Sequence, residues 1–96
     1  MQEGGVISQA SVFGRRDRVM MQEVEGASVL LDIDSGEYFS LTGVGGRVWE
    51  LCDGTSSVGS IAEILCAEFD VDGDTALGDT TELLGLLFEA GLVVGC

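Results

Sequence analysis

Glu37-Tyr38-Phe39-Ser40-Leu41-Thr42-Gly43-Val44-Gly45-Gly46-Arg47-Val48-Trp49-Glu50-Leu51-Cys52 is the stretch over which the chain changes its period. Through residues 37–41 the period is two: Phe39 and Leu41 share one face, Tyr38 and Ser40 the other, as in a strand. From Thr42, a good helix N-cap, the apolar residues Val44, Val48, Trp49, Leu51 and Cys52 recur at three- and four-residue intervals. Asp53-Gly54 stops the run. A strand therefore gives way to a short helix, one that Gly45 and Gly46 weaken by about 1 kcal/mol each relative to alanine.

Towards the N-terminus, residues 19–24 and 27–33 read as two more strands. They are rich in Val, Leu, Ile and Met and joined by the tight turn Glu25-Gly26. Asp34-Ser35-Gly36 is the next turn, with glycine supplying a positive φ. Towards the C-terminus, Thr55-Ser56-Ser57 offers caps for a second helix whose stripe is Ile61, Ile64, Leu65 and Phe69, with Glu63 and Glu68 turned away. Asp70-Val71-Asp72-Gly73-Asp74 is a loop whose acids cap a third helix over 75–90. Gly91 ends that helix, and Leu92-Val93-Val94 is an apolar tail that packs back on it. The order predicts an α+β, winged-helix-like domain: a three-stranded antiparallel sheet followed by three helices. Three helices cannot cover every side of such a sheet, so a strand edge or groove stays open. Residues 1–17 show no sustained period and are expected to be a flexible lead-in, with Val6-Ile7 as its one candidate strand pair; the folded domain is expected over 18–96.

Ninety-six residues make one domain. There is no window of eighteen or so apolar residues and no basic-then-apolar start, which points to a cytoplasmic protein without a membrane span. Cys52, Cys66 and Cys96 are too few and too widely spaced for a disulfide framework or a zinc knuckle; the first two read as small core residues and the third as an exposed thiol. Four basic residues against 17 acidic ones give a net charge of -13, and Arg15, Arg16 and Arg18 leave Arg47 as the only cation beyond residue 18. Such a chain repels phosphate backbones, which argues against a winged-helix DNA reader and favours partners with basic side chains.

The absence of histidine removes the commonest general base and metal ligand, so no catalytic group, cofactor or metal is expected. Asp70-x-Asp72-Gly73-Asp74 resembles the start of a calcium loop, but its glycine comes at the fourth place rather than the sixth, and the twelfth place is Thr81; helix capping by Asp72 or Asp74 is the better reading. Gly78-Asp79-Thr80-Thr81-Glu82-Leu83 resembles the attachment motif of an acyl or peptidyl carrier protein, with Thr80 where the serine belongs; a carrier is the competing function. On the third helix Leu77, Thr80, Leu84, Leu87 and Phe88 share a core-like face. Leu83 and Leu86 flank it beside Asp79 and Glu82, an apolar strip edged by acids that suits a peptide with apolar anchors and nearby Lys or Arg.

The order of landmarks resembles the PqqD-like proteins, the precursor-peptide (RiPP) recognition elements of ribosomal natural-product pathways. The matching stretches are Asp34-Ser35-Gly36-Glu37-Tyr38-Phe39-Ser40-Leu41-Thr42, Val48-Trp49-Glu50-Leu51-Cys52-Asp53-Gly54, Ile61-Ala62-Glu63-Ile64-Leu65, and Asp79 with Leu83, Leu87 and Gly91-Leu92-Val93. They span roughly residues 18–95; Thr42 stands where the family often has asparagine, and both residues cap helices. Length and acidity look most like the stand-alone leader-binding protein of lasso-peptide biosynthesis. The resemblance implies a non-catalytic protein that binds the leader segment of a precursor peptide by strand addition and presents it to a separate leader peptidase and a cyclase. Carried onto this chain, the pairing edge is Glu37, Tyr38, Phe39, Ser40 and Leu41, and the groove wall is Asp79, Glu82, Leu83 and Leu86. Apolar leader anchors would enter between Tyr38 or Phe39 and Leu83 or Leu86, with Asp79 and Glu82 meeting basic groups. The same edge could pair with a second copy, giving a dimer.

Overall fold

The computed structural model describes residues 7–96. The central sheet forms where alternation predicts it. Strand β2 (Val19–Val24) pairs antiparallel with β3 (Ala27–Asp32), Val24 opposite Ala27, across a two-residue turn. Glu25 and Gly26 there have φ of 52° and 85°, the doubly positive conformation that matches the twist of a hairpin. Strand β3 pairs in turn with β4 (Tyr38–Leu41), with Leu30 opposite Phe39. The intervening turn is held by Asp32, whose carboxylate accepts from Asp34 N at 3.0 Å, and by Gly36 at φ 78°.

Helix α1 (Gly45–Leu51) follows at once. Thr42 does not cap it as expected: Val44 is the N-cap and supplies no side-chain hydrogen bond, while Thr42 O accepts from Gly45 N at 3.1 Å in a preceding turn. The two glycines that weaken this helix also let it lie close to the sheet. A Cβ at Gly46 would collide with Ser28 Oγ on β3, and one at Gly45 would stand 3.2 Å from the Leu41 Cβ. Helix α2 (Val58–Phe69) starts at Ser57, whose hydroxyl accepts from Ser60 N at 3.2 Å; α3 (Gly73–Glu89) starts at Asp72, whose carboxylate accepts from Thr75 N at 2.7 Å. Both caps are among those expected from the sequence.

The α+β class and three helices agree with the expectation, but the sheet count does not. A second three-stranded antiparallel sheet has the order β5-β1-β6, built from β1 (Val12–Arg15), β5 (Asp53–Ser57) and β6 (Val93–Gly95). Its middle strand falls in the expected lead-in, and Phe13 from it is buried. Burial of that ring against the helices, with pairing on both sides, holds a segment too short to show a period. Residues 1–6, including Val6 of the candidate pair Val6-Ile7, lie outside the described residues; Ile7 is in no strand but packs against the core.

The arginines near the start are structural rather than a free basic tail. Arg15 Nη1 donates to the carbonyls of Trp49 (3.1 Å) and Glu50 (2.6 Å) at the end of α1, Arg16 Nη1 donates to Gly91 O beyond α3, and Arg18 pairs with Asp34 at 2.7 Å. Cations at helix C-termini complete orphan carbonyls and oppose the helix dipole.

The core joins both sheets and all three helices: Phe13, Leu30, Val48, Trp49, Val58, Ile61, Leu65, Leu84, Leu87, Leu92 and Val93. Each large apolar side chain buried there contributes about 1.5–3 kcal/mol. Cys52 belongs to it, its Sγ 3.2 Å from Val48 O and its thiol pushed up to about 11 by burial; Cys66 is half-buried and Cys96 exposed. Phe88 departs from its expected core position: it is substantially exposed and stacks edge-on against Phe13 with ring centroids 5.8 Å apart. Phe69, at the end of the α2 stripe, is likewise exposed. No helix among the described residues is long and apolar enough to cross a membrane.

Candidate functional site

Strand β4 is the last strand of its sheet, and hydrogen-bond alternation determines what its far edge presents. Asp32 N donates to Glu37 O at 2.9 Å, so residues 37, 39 and 41 direct their backbone groups at β3. Tyr38 and Ser40 therefore turn their N–H and C=O groups to the far side, where no strand among the described residues pairs with them. The same register sends the Phe39 and Leu41 side chains inward with Leu30, and those of Tyr38 and Ser40 to the outer face.

Beside this edge runs a groove of about 400 Å³, lined by Ser40, Leu41, Thr42, Val44 and Gly45 on one side and by Asp79, Glu82, Leu83 and Leu86 of α3 on the other. Leu83 packs against the core, whereas Leu86 is 60% exposed. The groove is thus apolar along Leu41, Val44, Leu83 and Leu86 and acidic at its α3 rim. Asp79 and Glu82 form no salt bridge among the described residues.

Of the nine residues assigned to a peptide site from the sequence, the structure brings Ser40, Leu41, Asp79, Glu82, Leu83 and Leu86 around this one groove. The other three lie apart. Phe39 is taken up by the core, Glu37 precedes the strand with its carbonyl bonded to Asp32, and Tyr38 lines a separate concavity with Met20, Gln22, Val29 and Leu31. Sequence reasoning missed Thr42, Val44 and Gly45. The signal for Thr42 and Val44 was the three-residue link from strand to helix, which obliges the start of α1 to sit at the end of the groove.

Arg47 ties α1 to α2. Its Nε and Nη2 donate to the two carboxylate oxygens of Glu68 on α2 at 2.8 and 2.9 Å, and Nη1 reaches Glu50 at 3.3 Å. The bidentate pair holds the Glu68 carboxyl below the usual range and raises the guanidinium further. With Arg15, Arg16 and Arg18 engaged as well, all four arginines have partners, and the acids that outnumber them among the described residues are almost all exposed. Thr80, the residue in the place of a carrier's attachment serine, is fully buried in α3 with its hydroxyl unpartnered, so it is closed to a phosphopantetheine arm.

The model of the family "Coenzyme PQQ synthesis protein D (PqqD)" matches residues 27–93, well over half of the chain. The chain belongs to the PqqD family. Three solved structures resemble this PqqD protein over most of both chains. TbiB1 in complex with the TbiA(beta) leader peptide is 31% identical with a TM-score of 0.73, over 83% of this chain and 93% of that one. Lasso peptide synthetase B1 complexed with the leader peptide is 27% identical with a TM-score of 0.75, over 85% and 96%. The PqqD truncation of Methylobacterium extorquens PqqCD, described as a functional, stand-alone RiPP recognition element, is 25% identical with a TM-score of 0.79, over 94% and 96%. No curated protein matches the sequence. This PqqD protein is thus similar to RiPP recognition elements, as the order of its landmarks implied.

Proposed function

We propose that this PqqD family protein binds the leader segment of a ribosomally made precursor peptide as an added strand on β4 and presents it to a leader peptidase and a cyclase. The observation that carries the reading is the meeting of two features: the unpaired backbone groups of Tyr38 and Ser40, and the acid-rimmed apolar groove between β4 and α3. An extended peptide on that edge gains affinity from main-chain hydrogen bonds. It gains selectivity because every second side chain enters the groove. Apolar anchors meet Leu41, Val44, Leu83 and Leu86, and a Lys or Arg meets Asp79 or Glu82. Leader-peptide complexes among its structural relatives support the same reading.

Titration of the protein with a fluorescent synthetic leader, followed by anisotropy, tests this. Saturable binding to the leader and none to the core peptide is the expected result; equal binding to both would overturn it. A dimer formed through the β4 edge would compete with the leader, so excess leader should dissociate any such dimer.

A further inference from the structure

The groove runs from Val44 and Gly45 at the start of α1 to Leu83 and Leu86 on α3, so its width is the spacing of two helices. They meet where a Cβ on Gly45 would stand 3.6 Å from Leu83 Cδ2. Helix α1 has little of its own to hold it there. It is seven residues long, begins on two glycines, and has neither a side-chain N-cap bond nor an acid in its first turn. A helix of two turns is unstable by itself, so its form and place are set by what it touches. Two adjacent residues, Arg15 at the end of β1 and Arg16 just past it, supply matching ties, one to each groove helix. Arg15 takes the end of α1: its backbone N–H donates to Cys52 O at 3.2 Å, and its Nη1 donates to Trp49 O at 3.1 Å and Glu50 O at 2.6 Å. Arg16 does the same beyond α3: its backbone N–H donates to Leu92 O at 3.1 Å and its Nη1 to Gly91 O at 3.2 Å. The last carbonyls of a helix have no partner within it, and a guanidinium both completes them and opposes the helix dipole.

We infer that Arg15 and Arg16 are positioning residues for the leader groove, setting the distance between α1 and α3 while touching no part of the peptide. The inference rests on the leader reading above. Neither arginine lines the groove. Their Cα atoms are about 3.8 Å apart across one peptide bond, so the ends of both helices are tied to nearly one point. That point is firm, because β1 is the middle strand of its sheet and is paired on both sides. Arg18 is the contrast: it pairs with Asp34 in the turn between β3 and β4 and holds no helix. Long-range charge works in the other direction. Removing a cation from a chain of net charge -13 makes its field more attractive to a leader carrying Lys or Arg. Charge alone therefore predicts that loss of any of the three arginines leaves leader binding as tight as before or tighter, whereas loss of a helix tie weakens it.

The test uses the full chain and a fluorescent synthetic leader, with anisotropy, thermal melts and amide hydrogen exchange on each variant. Arg15→Gln and Arg16→Gln are each expected to weaken leader binding at least fivefold while still melting in one transition above the assay temperature. Arg18→Gln is expected to stay within twofold. Arg15→Lys, which keeps the charge without the planar fork, is expected to fall between wild type and Arg15→Gln. The Val48 amide, bonded to Val44 O across α1, is expected to exchange at least fivefold faster in Arg15→Gln, with the amides of α2 at their wild-type rates. Unchanged leader affinity in both glutamine variants would overturn the inference. So would an equal loss in Arg18→Gln, or faster exchange in α1 and α2 alike, either of which would leave the arginines as general stabilisers. Should Arg15→Gln not fold, Arg15→Lys decides: a twofold or greater weakening is expected, and wild-type affinity overturns the inference. A wild-type protein that binds no leader would remove the leader reading and this inference with it; a leader-binding wild type whose glutamine variants bind equally well removes only the role of the two arginines.

Discussion

Gly45 runs so close to Leu41 that a Cβ added to it would stand 3.2 Å from the Leu41 Cβ and 3.6 Å from Leu83 Cδ2, the two side chains that flank the groove floor. Gly45→Ala therefore has two opposed effects on the fold. Helix propensity gains about 1 kcal/mol, and crowding against β4 costs about 1–3 kcal/mol. Stability should fall by no more than about 2 kcal/mol, while leader affinity drops at least fivefold because α1 is pushed off the groove floor. Gly78→Ala on α3 is the control: nothing lies within 4 Å of its added methyl. It should stabilise by about 1 kcal/mol and leave binding unchanged. Urea denaturation and leader titration on both variants separate the two effects.

Leu86 and Leu84 are close in sequence but opposite in role. Leu86 is mostly exposed on the groove wall, and Leu84 is fully buried. Leu86→Arg is expected to weaken leader binding at least tenfold with a Tm close to wild type. Leu84→Ala should cost about 2–5 kcal/mol of stability through the cavity it leaves. Calorimetric melts with binding isotherms check both; a Leu86→Arg protein that unfolds would place that side chain in the core.

The strip of Leu83 and Leu86 beside Asp79 and Glu82 was legible in the sequence because a 17-residue helix repeats its period often enough to separate a flank from a core face. The hairpin of β2 and β3 and its neighbour β4 were legible from alternation and from Gly26 and Gly36 in the turns. The second sheet was not. β1, β5 and β6 read Val-Phe-Gly-Arg, Asp-Gly-Thr-Ser-Ser and Val-Val-Gly, none of which alternates apolar with polar, and β1 pairs with segments far along the chain. Asp53-Gly54-Thr55-Ser56-Ser57 reads as turn and cap residues, and Ser57 is indeed a cap; its pairing with β1 is a tertiary effect that local propensity does not encode. Gly45 was missed because a groove floor made by the absence of a side chain leaves no pattern, and the contacts of Arg15 and Arg16 with distant carbonyls leave none either.

Thr80 Oγ1 is buried and has no hydrogen-bond partner among the described residues. A lone buried hydroxyl costs about 1–3 kcal/mol of desolvation, and valine has nearly the same shape. Thr80→Val should raise stability by about 1 kcal/mol in urea melts and leave leader affinity unchanged.

Asp53 folds its carboxylate over the turn that starts β5: Oδ1 accepts from Thr55 N and Ser56 N, each at 2.9 Å, and from the Thr55 hydroxyl. The two backbone N–H groups lead in lowering its pKa to about 2, from an ordinary 3.8. Because the folded value is depressed, the unfolded chain binds the proton first on acidification. The contribution is present above pH 3.8 and is lost as pH falls towards 2. Urea midpoints for wild type should therefore drop between pH 5 and pH 2.5 by more than those of Asp53→Asn. Equal drops would show that other carboxylates, Asp72 and Glu68 among them, carry the acid sensitivity.

Amide hydrogen exchange at β4, with and without saturating leader peptide, tests strand addition most directly. The N–H groups of Tyr38 and Ser40 face the open edge in the free protein, and those of Phe39 and Leu41 are already spent on β3. Leader binding is predicted to slow exchange at Tyr38 and Ser40 at least tenfold, with little change on the free edge of β2. Saturable binding with Tyr38 and Ser40 still exchanging at their free rate would contradict the account.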